Sequence, residues 1–310
     1  MVNKSRQVIG YVSLIGIFIL SACQNDPLDI NGGNAEDLER YLEENSISAT
    51  KAPEGYFYES VQANEHGLAI ENGAIVSMYY KVTNLSGNII DEHLPTDGAP
   101  VKLQHDANAV IPIGIDAGLG RIRKGEIYHL YIPSGLAYQS VNSEEINSNE
   151  AIIAEIEVVD VLNANAQQII DNQTIDAYIT QEGLNNIREL SSGLRVGSMS
   201  QGNGTSPSNG AEVTISYTAK FTDNTIFAEG SETVELGDNT LIHGLEEGIR
   251  NMHFGEKALL IIPSDLAYGS SVRVIPQQIA HSLVEEQIIP AYAEMVPPFT
   301  VLVFEVTLQQ

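Results

Sequence analysis

The sequence is poor in the residue types that build metal centres, redox sites and nucleic-acid surfaces. It has no tryptophan and a single cysteine, which excludes a disulfide framework and any thiolate metal cluster. Its seven histidines show no HxH or HxxxH spacing, so we expect no dedicated zinc site and no cofactor. Against 41 aspartates and glutamates stand 15 lysines and arginines, and the formal charge of −26 would repel phosphate backbones. We therefore expect no binding to DNA or RNA.

What the sequence does contain is enough apolar material for folded domains. Hydrophobic residues make up 43% of the 310 residues and charged residues 18%, so the chain can bury cores and is not disordered by composition. A chain of this length accommodates two domains of ordinary size. The composition therefore indicates an acidic protein with two folded domains.

The amino terminus carries the pattern of an exported protein. Lys4 and Arg6 precede an apolar run from Val8 to Leu20, which is typical of a secretory signal and short for a membrane span. The run ends in Leu-Ser-Ala-Cys, which resembles the lipobox of bacterial lipoproteins. The alternative is an ordinary signal peptide with an incidental cysteine.

The lipobox resemblance implies a membrane-anchored protein. In that class the cysteine becomes the mature amino terminus and carries the lipid. We therefore expect a signal peptide over residues 1–22, lipidation of Cys23, and a polar tether over residues 23–36. The expected location is the bacterial cell envelope, with the protein facing the periplasm or the cell surface. Gln24 and Asn25 are unlike the Asp that retains some lipoproteins in the inner membrane, which favours the outer membrane.

The rest of the chain contains the same pattern twice. The alternating strand AIVSMYYKV (74–82) corresponds to EVTISYTAKF (212–221), and the segment IPSGLAY (132–138) corresponds to IPSDLAY (262–268). Each copy closes on an apolar strand, AIIAEIEVVDV (151–161) and FTVLVFEVTL (299–308). A repeat of roughly 130 residues indicates a tandem domain, because solenoid units are far shorter.

The order of elements within each copy predicts the fold class. One short helical piece lies among antiparallel strands, which is typical of the α+β class with a helix covering one face of a sheet. We expect the first copy over residues 37–163, a helical connector over residues 164–192 and the second copy over residues 193–310.

The second copy resembles an FKBP-type peptidyl-prolyl cis-trans isomerase domain. The matching stretches are SYTAKFTDNTIF (216–227), VELGDNTLIHGLEEGIRNMHFGEKALLIIPSDLAYG (234–269) and VPPFTVLVFEVTL (296–308). The first copy resembles the same family more weakly, through VSMYYKV, GNIID, VIPIG, IPSGLAY and IEVVDV. The resemblance implies two FKBP-like domains, each a five-stranded antiparallel sheet curled around a short helix.

The resemblance also implies a pocket for a proline ring between helix and sheet. In this family the Ile242 N–H and the Tyr268 hydroxyl would meet substrate carbonyls. The implied substrates are proline-containing peptides or unfolded exported proteins. The lining residues implied for the second copy are Tyr217, Phe227, Leu241, Ile242, Leu245, Tyr268, Val296 and Phe304.

Three departures from the family pattern concern the second pocket. Ala228 follows Phe227 where the family usually has Asp, and Leu245 stands where it usually has Trp. Glu232 and Val234 occupy a strand where many members carry an aromatic. Each lost large apolar contact would weaken proline binding by about 1–3 kcal/mol, so we expect reduced rather than abolished activity.

The first pocket departs further from the family. It keeps Tyr80, Asp91, Ile111 and Tyr138, but Ile90, Ile115, Ala154 and Gln139 replace family residues. We therefore expect this copy to be degenerate, with a structural or peptide-docking role. Between residues 269 and 296 the second copy carries a long insertion, which is either a flap over its own pocket or a surface element packed on itself.

Two further functions stay open on the sequence alone. The domains could hold unfolded chains or a protein partner without turnover, as a chaperone-type binding lipoprotein. The chain could also be an acidic structural lipoprotein of the cell surface. The composite pocket favours the isomerase.

Overall fold

The computed structural model describes residues 35–107 and 109–309. The expected signal peptide and the expected lipidation site, Cys23, lie outside the described residues. Within the described ranges no helix is both long and apolar enough to cross a membrane.

Strands dominate the described chain. The helices are α1 (Ala35–Glu44), α2 (Ile113–Leu119), α3 (Ala164–Gln181), α4 (His243–Arg250) and α5 (Ala280–Glu285). The strands are β1 (Thr50–Lys51), β2 (Phe57–Gln62), β3 (Ile75–Asn84), β4 (Ile89–His93), β5 (Val101–Gln104), β6 (Val110–Ile111), β7 (Ile127–Ile132), β8 (Ile152–Leu162), β9 (Arg188–Glu189), β10 (Arg195–Ser200), β11 (Glu212–Lys220), β12 (Ile226–Glu235), β13 (Lys257–Ile262), β14 (Arg273–Val274) and β15 (Leu302–Leu308).

The strands form two antiparallel sheets, one in each copy. The first has the order β1-β2-β7-β8-β3-β4, with β5 also paired to β3, and the second has the order β12-β11-β15-β13-β10-β9. The expected α+β class is confirmed. Each sheet exceeds the expected five strands, because short segments such as β1, β5 and β9 extend its edges.

Corresponding strands of the two sheets pair in the same register. In the first copy Val82 pairs with Ala154, and in the second Ala219 pairs with Phe304. Strand β11, which lies between β12 and β15, alternates buried and half-buried residues after Glu212, as the period-two pattern of its sequence predicts. The repeat seen in the sequence is therefore a repeat of structure.

A short helix covers each sheet at close range. In the second copy a Cβ at Gly248 would lie 2.3 Å from Leu260 Cδ1, and a Cβ at Gly244 would lie 2.3 Å from Ile262 Cγ2. Glycine at these positions therefore lets α4 approach β13. The first copy repeats this arrangement with Gly118 against Leu130.

Helix α3 connects the two copies and contacts both. Its Gln167 accepts a hydrogen bond from Lys102 Nζ of the first copy at 2.9 Å. One turn later, the buried carboxylate of Asp171 accepts hydrogen bonds from the backbone N–H and the hydroxyl of Ser264 in the second copy, at 2.8 and 2.6 Å. This helix therefore holds the two copies together as well as linking their sequences.

The long insertion of the second copy packs on the first copy. We call residues 272–293 the bridging segment. Its strand β14 pairs in parallel with β6 of the first copy, with Val274 beside Ile111. Neither sequence-based alternative anticipated this position. Seven apolar residues of the segment are buried in the core cluster that contains the first sheet, namely Val274, Ile275, Ile279, Ala280, Leu283, Ile289 and Ala293.

Candidate functional site

The structure brings all eight predicted pocket residues into one apolar cluster of the second copy. Six of them are buried and two are half-buried against the cluster. Strands β11, β12 and β15 contribute one aromatic ring each, and α4 with the residues before it contributes the opposite wall. The buried members are Tyr217, Leu241, Ile242, Leu245, Val296 and Phe304, and the half-buried members are Phe227 and Tyr268.

Aromatic rings form the sheet side of this pocket. Phe304 is fully buried, with the Tyr217 ring at 6.2 Å and the Phe227 ring nearly perpendicular to it at 6.3 Å between centroids. Such edge-to-face arrangements are favourable for aromatic pairs. Phe221, which the sequence analysis did not select, packs on Phe227 at 4.8 Å and supports that wall.

The two residues expected to meet a substrate, Ile242 and Tyr268, differ in what surrounds their polar groups. The Tyr268 hydroxyl is buried and has no hydrogen-bond partner among the described residues. Burial raises the pKa of Tyr268, so the hydroxyl stays protonated and able to donate at neutral pH. A buried hydroxyl without a partner is costly unless a ligand forms a hydrogen bond with it. Ile242 is buried and has an extended backbone directly before α4.

Glu232 supplies a carboxylate to Tyr217, although Ala228 stands where the family pattern has Asp. In the first copy the Tyr80 hydroxyl donates to Asp91 at 2.8 Å. The second copy has Ala228 in place of that Asp, yet its Tyr217 hydroxyl donates to Glu232 at 3.1 Å. The expectation that the departure at Glu232 weakens proline binding stays a prediction, and the hydrogen bond gives Tyr217 a carboxylate that Ala228 does not supply. Burial, followed by the nearby Glu232 charge, raises the pKa of Tyr217.

A glycine makes room for this contact. Gly230 lies opposite Tyr217 in the β11–β12 ladder, and a Cβ there would lie 3.2 Å from the Tyr217 oxygen. The phenol ring can therefore lie across β12 and reach Glu232, two residues farther along the strand. The spacing Gly-x-Glu was the available sequence signal, but it gains meaning only once the strand pairing is known.

Asp171 is a second residue that the sequence did not point to. Its hydrogen bonds to Ser264 hold the start of the short turn Ser264–Leu266, which leads directly into Tyr268. Gln167 donates to the same carboxylate at 2.6 Å. The connector helix thus positions the loop that carries the tyrosine.

The first copy's hollow is covered by the bridging segment. Ile275 donates its N–H to the carbonyl of Ile111 at 2.8 Å, and Arg273 donates its N–H to the carbonyl of Ala109 at 2.7 Å. The sequence matched Ile111 to Ile242, but the structure places Pro112 directly before α2 where Ile242 stands before α4, so Ile111 is one residue earlier. Burial lowers the pKa of Arg273, opposed by the charges of Tyr80 and Asp91 in the first hollow.

An open cleft remains beside the covered hollow. It measures about 560 Å³ and lies between strand β4 and the bridging segment. It is lined by the side chains of Tyr80, Asp91, Glu92, His93, Gln277, Gln278, His281 and Glu294. Within the described residues, no cluster of three or more histidine, cysteine or acidic side chains is arranged to hold a metal ion.

Comparison with known proteins places both copies in one family. A family model described as FKBP-type peptidyl-prolyl cis-trans isomerase matches residues 67–159 and 203–309. The FKBP-type 22 kDa peptidyl-prolyl cis-trans isomerase of Escherichia coli (strain K12) is 32% identical over 131 residues, which are 41% of this chain and 53% of the relative. The FKBP-type peptidyl-prolyl cis-trans isomerase FkpA of the same strain is 30% identical over 138 residues, which are 44% of this chain and 48% of the relative.

Among solved structures, the crystal structure of FkpA from Escherichia coli is 30% identical, covers 42% of this chain and 60% of that chain, and superposes with a TM-score of 0.37. The chain spans about half the length of the two curated relatives named above. Since the family model covers well over half of the residues, in two separate segments, the chain belongs to the FKBP-type peptidyl-prolyl cis-trans isomerase family, as a tandem of two such domains.

Proposed function

We propose that the second copy catalyses cis-trans isomerisation of X–Pro bonds in peptides and unfolded exported proteins. The observation that carries this proposal is the group of three aromatic rings, Tyr217, Phe227 and Phe304, in one cluster with Tyr268, whose buried hydroxyl has no hydrogen-bond partner among the described residues. A pocket of this kind offers an apolar wall to a pyrrolidine ring and a hydrogen bond to a carbonyl. The Tyr138 hydroxyl of the first copy is likewise buried and unpartnered, but Ile90 and Ala154 stand there in place of two of the rings. Family membership supports the same activity.

The chemistry needs neither a nucleophile nor an acid–base pair. Rotation about the X–Pro bond breaks amide resonance, with a barrier of about 20 kcal/mol and a time of roughly 10–100 s without a catalyst. The twisted amide has less charge separation than the planar one, so an apolar pocket favours it relative to water. In this site Phe227, Phe304 and Tyr217 would hold the ring, while Ile242 and Tyr268 fix the flanking carbonyls.

The test is magnetisation exchange between the cis and trans forms of an Ala-Leu-Pro-Phe peptide, measured with the full chain. We expect exchange in the presence of the protein to be faster than in buffer. Tyr268→Phe should reduce the acceleration, whereas the matched change Tyr138→Phe in the covered first hollow should leave it unchanged. Equal acceleration by both variants would contradict the site, and binding without acceleration would favour the non-catalytic holding function.

We also propose that Cys23 is lipidated and anchors the protein in the bacterial envelope, preferably in the outer membrane and facing the periplasm or the cell surface. The lipobox-like residues before Cys23 and the polar stretch after it support this anchor. The wild-type protein should sediment with membranes, and Cys23→Ser should move it to the soluble fraction. Membrane association of Cys23→Ser equal to that of the wild type would contradict the anchor.

A further inference from the structure

The bridging segment contacts both pockets. Its first residues pair with β6 of the first copy, and its buried side chains complete the first copy's core cluster. At its other end Tyr292 stacks on Tyr268 of the second pocket, with 4.2 Å between ring centroids and 21° between ring planes. One segment of about twenty residues therefore spans the distance between the two hollows.

The contact with the first copy anchors the segment. Ile275 is fully buried, and its N–H is held by the Ile111 carbonyl. The start of the segment is also hydrogen-bonded to its far end: the side-chain amide of Gln277 donates to the carbonyls of Ala293 and Glu294 at 3.3 and 3.0 Å. The start of the segment is thus tied both to the first copy and to the residues around Tyr292.

The contact with the second copy shapes its pocket. Tyr292 is half-buried against the first copy's core cluster and covers the Tyr268 ring. Four residues later Val296 is one of the buried pocket residues, and its carbonyl accepts a hydrogen bond from the buried Ser271 at 3.1 Å. The Tyr268 ring therefore contacts Tyr292, a side chain that packs on the core of the first copy.

We propose that the first copy holds Tyr292 as an outer wall of the second pocket, so that the covered, degenerate domain positions the site of its neighbour. Tyr292 is a positioning residue that acts through Tyr268. This inference rests on the proposed function of the second pocket. The first copy would contribute to the neighbouring site in this way without an open pocket of its own.

The first test asks whether docking of the bridging segment on the first copy affects the second pocket. It compares substitutions at two isoleucines of that segment, one buried and one exposed, in the full chain. Ile275→Asp places a charge in the first copy's core, whereas Ile288→Asp changes a side chain that is 54% exposed. Hydrogen exchange at the amides of Arg273 and Ile275 reports docking. Binding of the Ala-Leu-Pro-Phe peptide, followed by NMR titration, and the separate kcat and KM of isomerisation report the second pocket.

We expect Ile275→Asp to expose the two amides and to raise both Kd and KM by roughly threefold to tenfold, the factor expected for the loss of one aromatic contact. The value of kcat should change less than KM, and Ile288→Asp should behave as the wild type. A variant with exposed amides but unchanged Kd and KM would overturn the proposal.

The second test removes the wall without disturbing the first copy. Tyr292→Ala should raise Kd by the same factor, and Tyr292→Phe should restore it because the stacked ring is kept. An unchanged Kd in Tyr292→Ala contradicts the proposal even if Ile275→Asp fails to fold. A wild type that binds but does not isomerise the peptide would refute only the proposed activity, since Kd still tests the wall; a wild type that does neither would refute both.

Discussion

The Tyr217 hydroxyl donates a hydrogen bond to the Glu232 carboxylate at 3.1 Å, across the pairing of β11 with β12. The first copy joins Tyr80 to Asp91 in the same way at 2.8 Å. The acid comes from a different position of the strand in each copy. The two pockets therefore share a tyrosine held by a carboxylate, although the residue directly after Phe227 is Ala228.

If that carboxylate fixes the Tyr217 ring as a pocket wall, removing it should weaken peptide binding. We expect Glu232→Ala to raise KM for the Ala-Leu-Pro-Phe peptide by about fivefold or more, because a buried hydroxyl that loses a charged acceptor costs about 1–3 kcal/mol. The matched control is Glu229→Ala, an exposed acid on the same strand. An effect of equal size in both variants would mean that surface charge, and not the Tyr217 contact, is responsible.

A carboxylate swap tests the same relationship in reverse. Ala228→Asp combined with Glu232→Ala places the acid where the first copy has it, and this double variant should recover much of the lost affinity. Ala228→Asp alone should not improve binding, because two neighbouring carboxylates would repel each other and compete for one hydroxyl. Failure of the double variant to recover any affinity would show that the position of the acid matters more than its presence.

The aromatic wall should carry most of the turnover. Phe227→Ala removes the ring that meets Phe304 edge-on, and we expect the isomerisation rate to fall at least about tenfold, which corresponds to about 1.4 kcal/mol of transition-state stabilisation. The neighbouring Ile226 is 54% exposed, and Ile226→Ala should leave the rate within about twofold of wild type. Circular dichroism should show that both variants are folded, and equal rates for the two would contradict the pocket.

The buried hydrogen bonds between Asp171 and Ser264 should contribute to stability. Asp171→Ala leaves the Ser264 N–H and hydroxyl without their acceptor, and we expect the free energy of unfolding to fall by about 1–3 kcal/mol. Asp176→Ala, an exposed change on the same helix, should cost less than about 0.5 kcal/mol. Urea denaturation of both variants measures the difference, and similar midpoints would show that the connector does not stabilise the second copy.

Glu305 should make the second copy's stability depend on pH. It accepts hydrogen bonds from Lys220 and Lys257, and these lower the pKa of Glu305 below its ordinary value of 4.5. A depressed folded-state pKa contributes stability above the unfolded value, and that contribution is lost as the pH falls through the folded value. We expect Glu305→Gln to cost about 1 kcal/mol at pH 7, as for a partly exposed ion pair.

The pH series identifies the cause of that loss. Urea denaturation gives the free energy of unfolding of wild type and of Glu305→Gln at each pH. The difference between the two should shrink as the pH falls below the ordinary glutamate pKa, and it should vanish once Glu305 is protonated in the folded state. Glu212→Gln, an exposed change on β11, should show little gap at any pH. A Glu305→Gln gap that persists undiminished at the lowest pH would show that packing, and not charge, is lost.

The sequence determined the parts of this protein that depend on local pattern. The alternation in 212–221 predicted a half-buried strand, and the duplicated segments predicted two copies of one fold, because strand geometry imposes its period on any chain that buries one face of a sheet. The eight pocket residues belong to these repeated motifs, and the structure gathers them in a single cluster. Their catalytic roles stay predictions until the variants are measured.

The tertiary structure alone decided the contacts that join distant parts of the chain. Asp171 meets Ser264, 93 residues away, and the bridging segment lies on the first copy instead of folding over its own pocket alone or on itself. The contact of Glu232 with Tyr217 likewise follows only from the pairing of β11 with β12. Local periodicity specifies which face of an element is apolar, but not which other surface will cover that face; that choice depends on the shape and charge of both partners once folded.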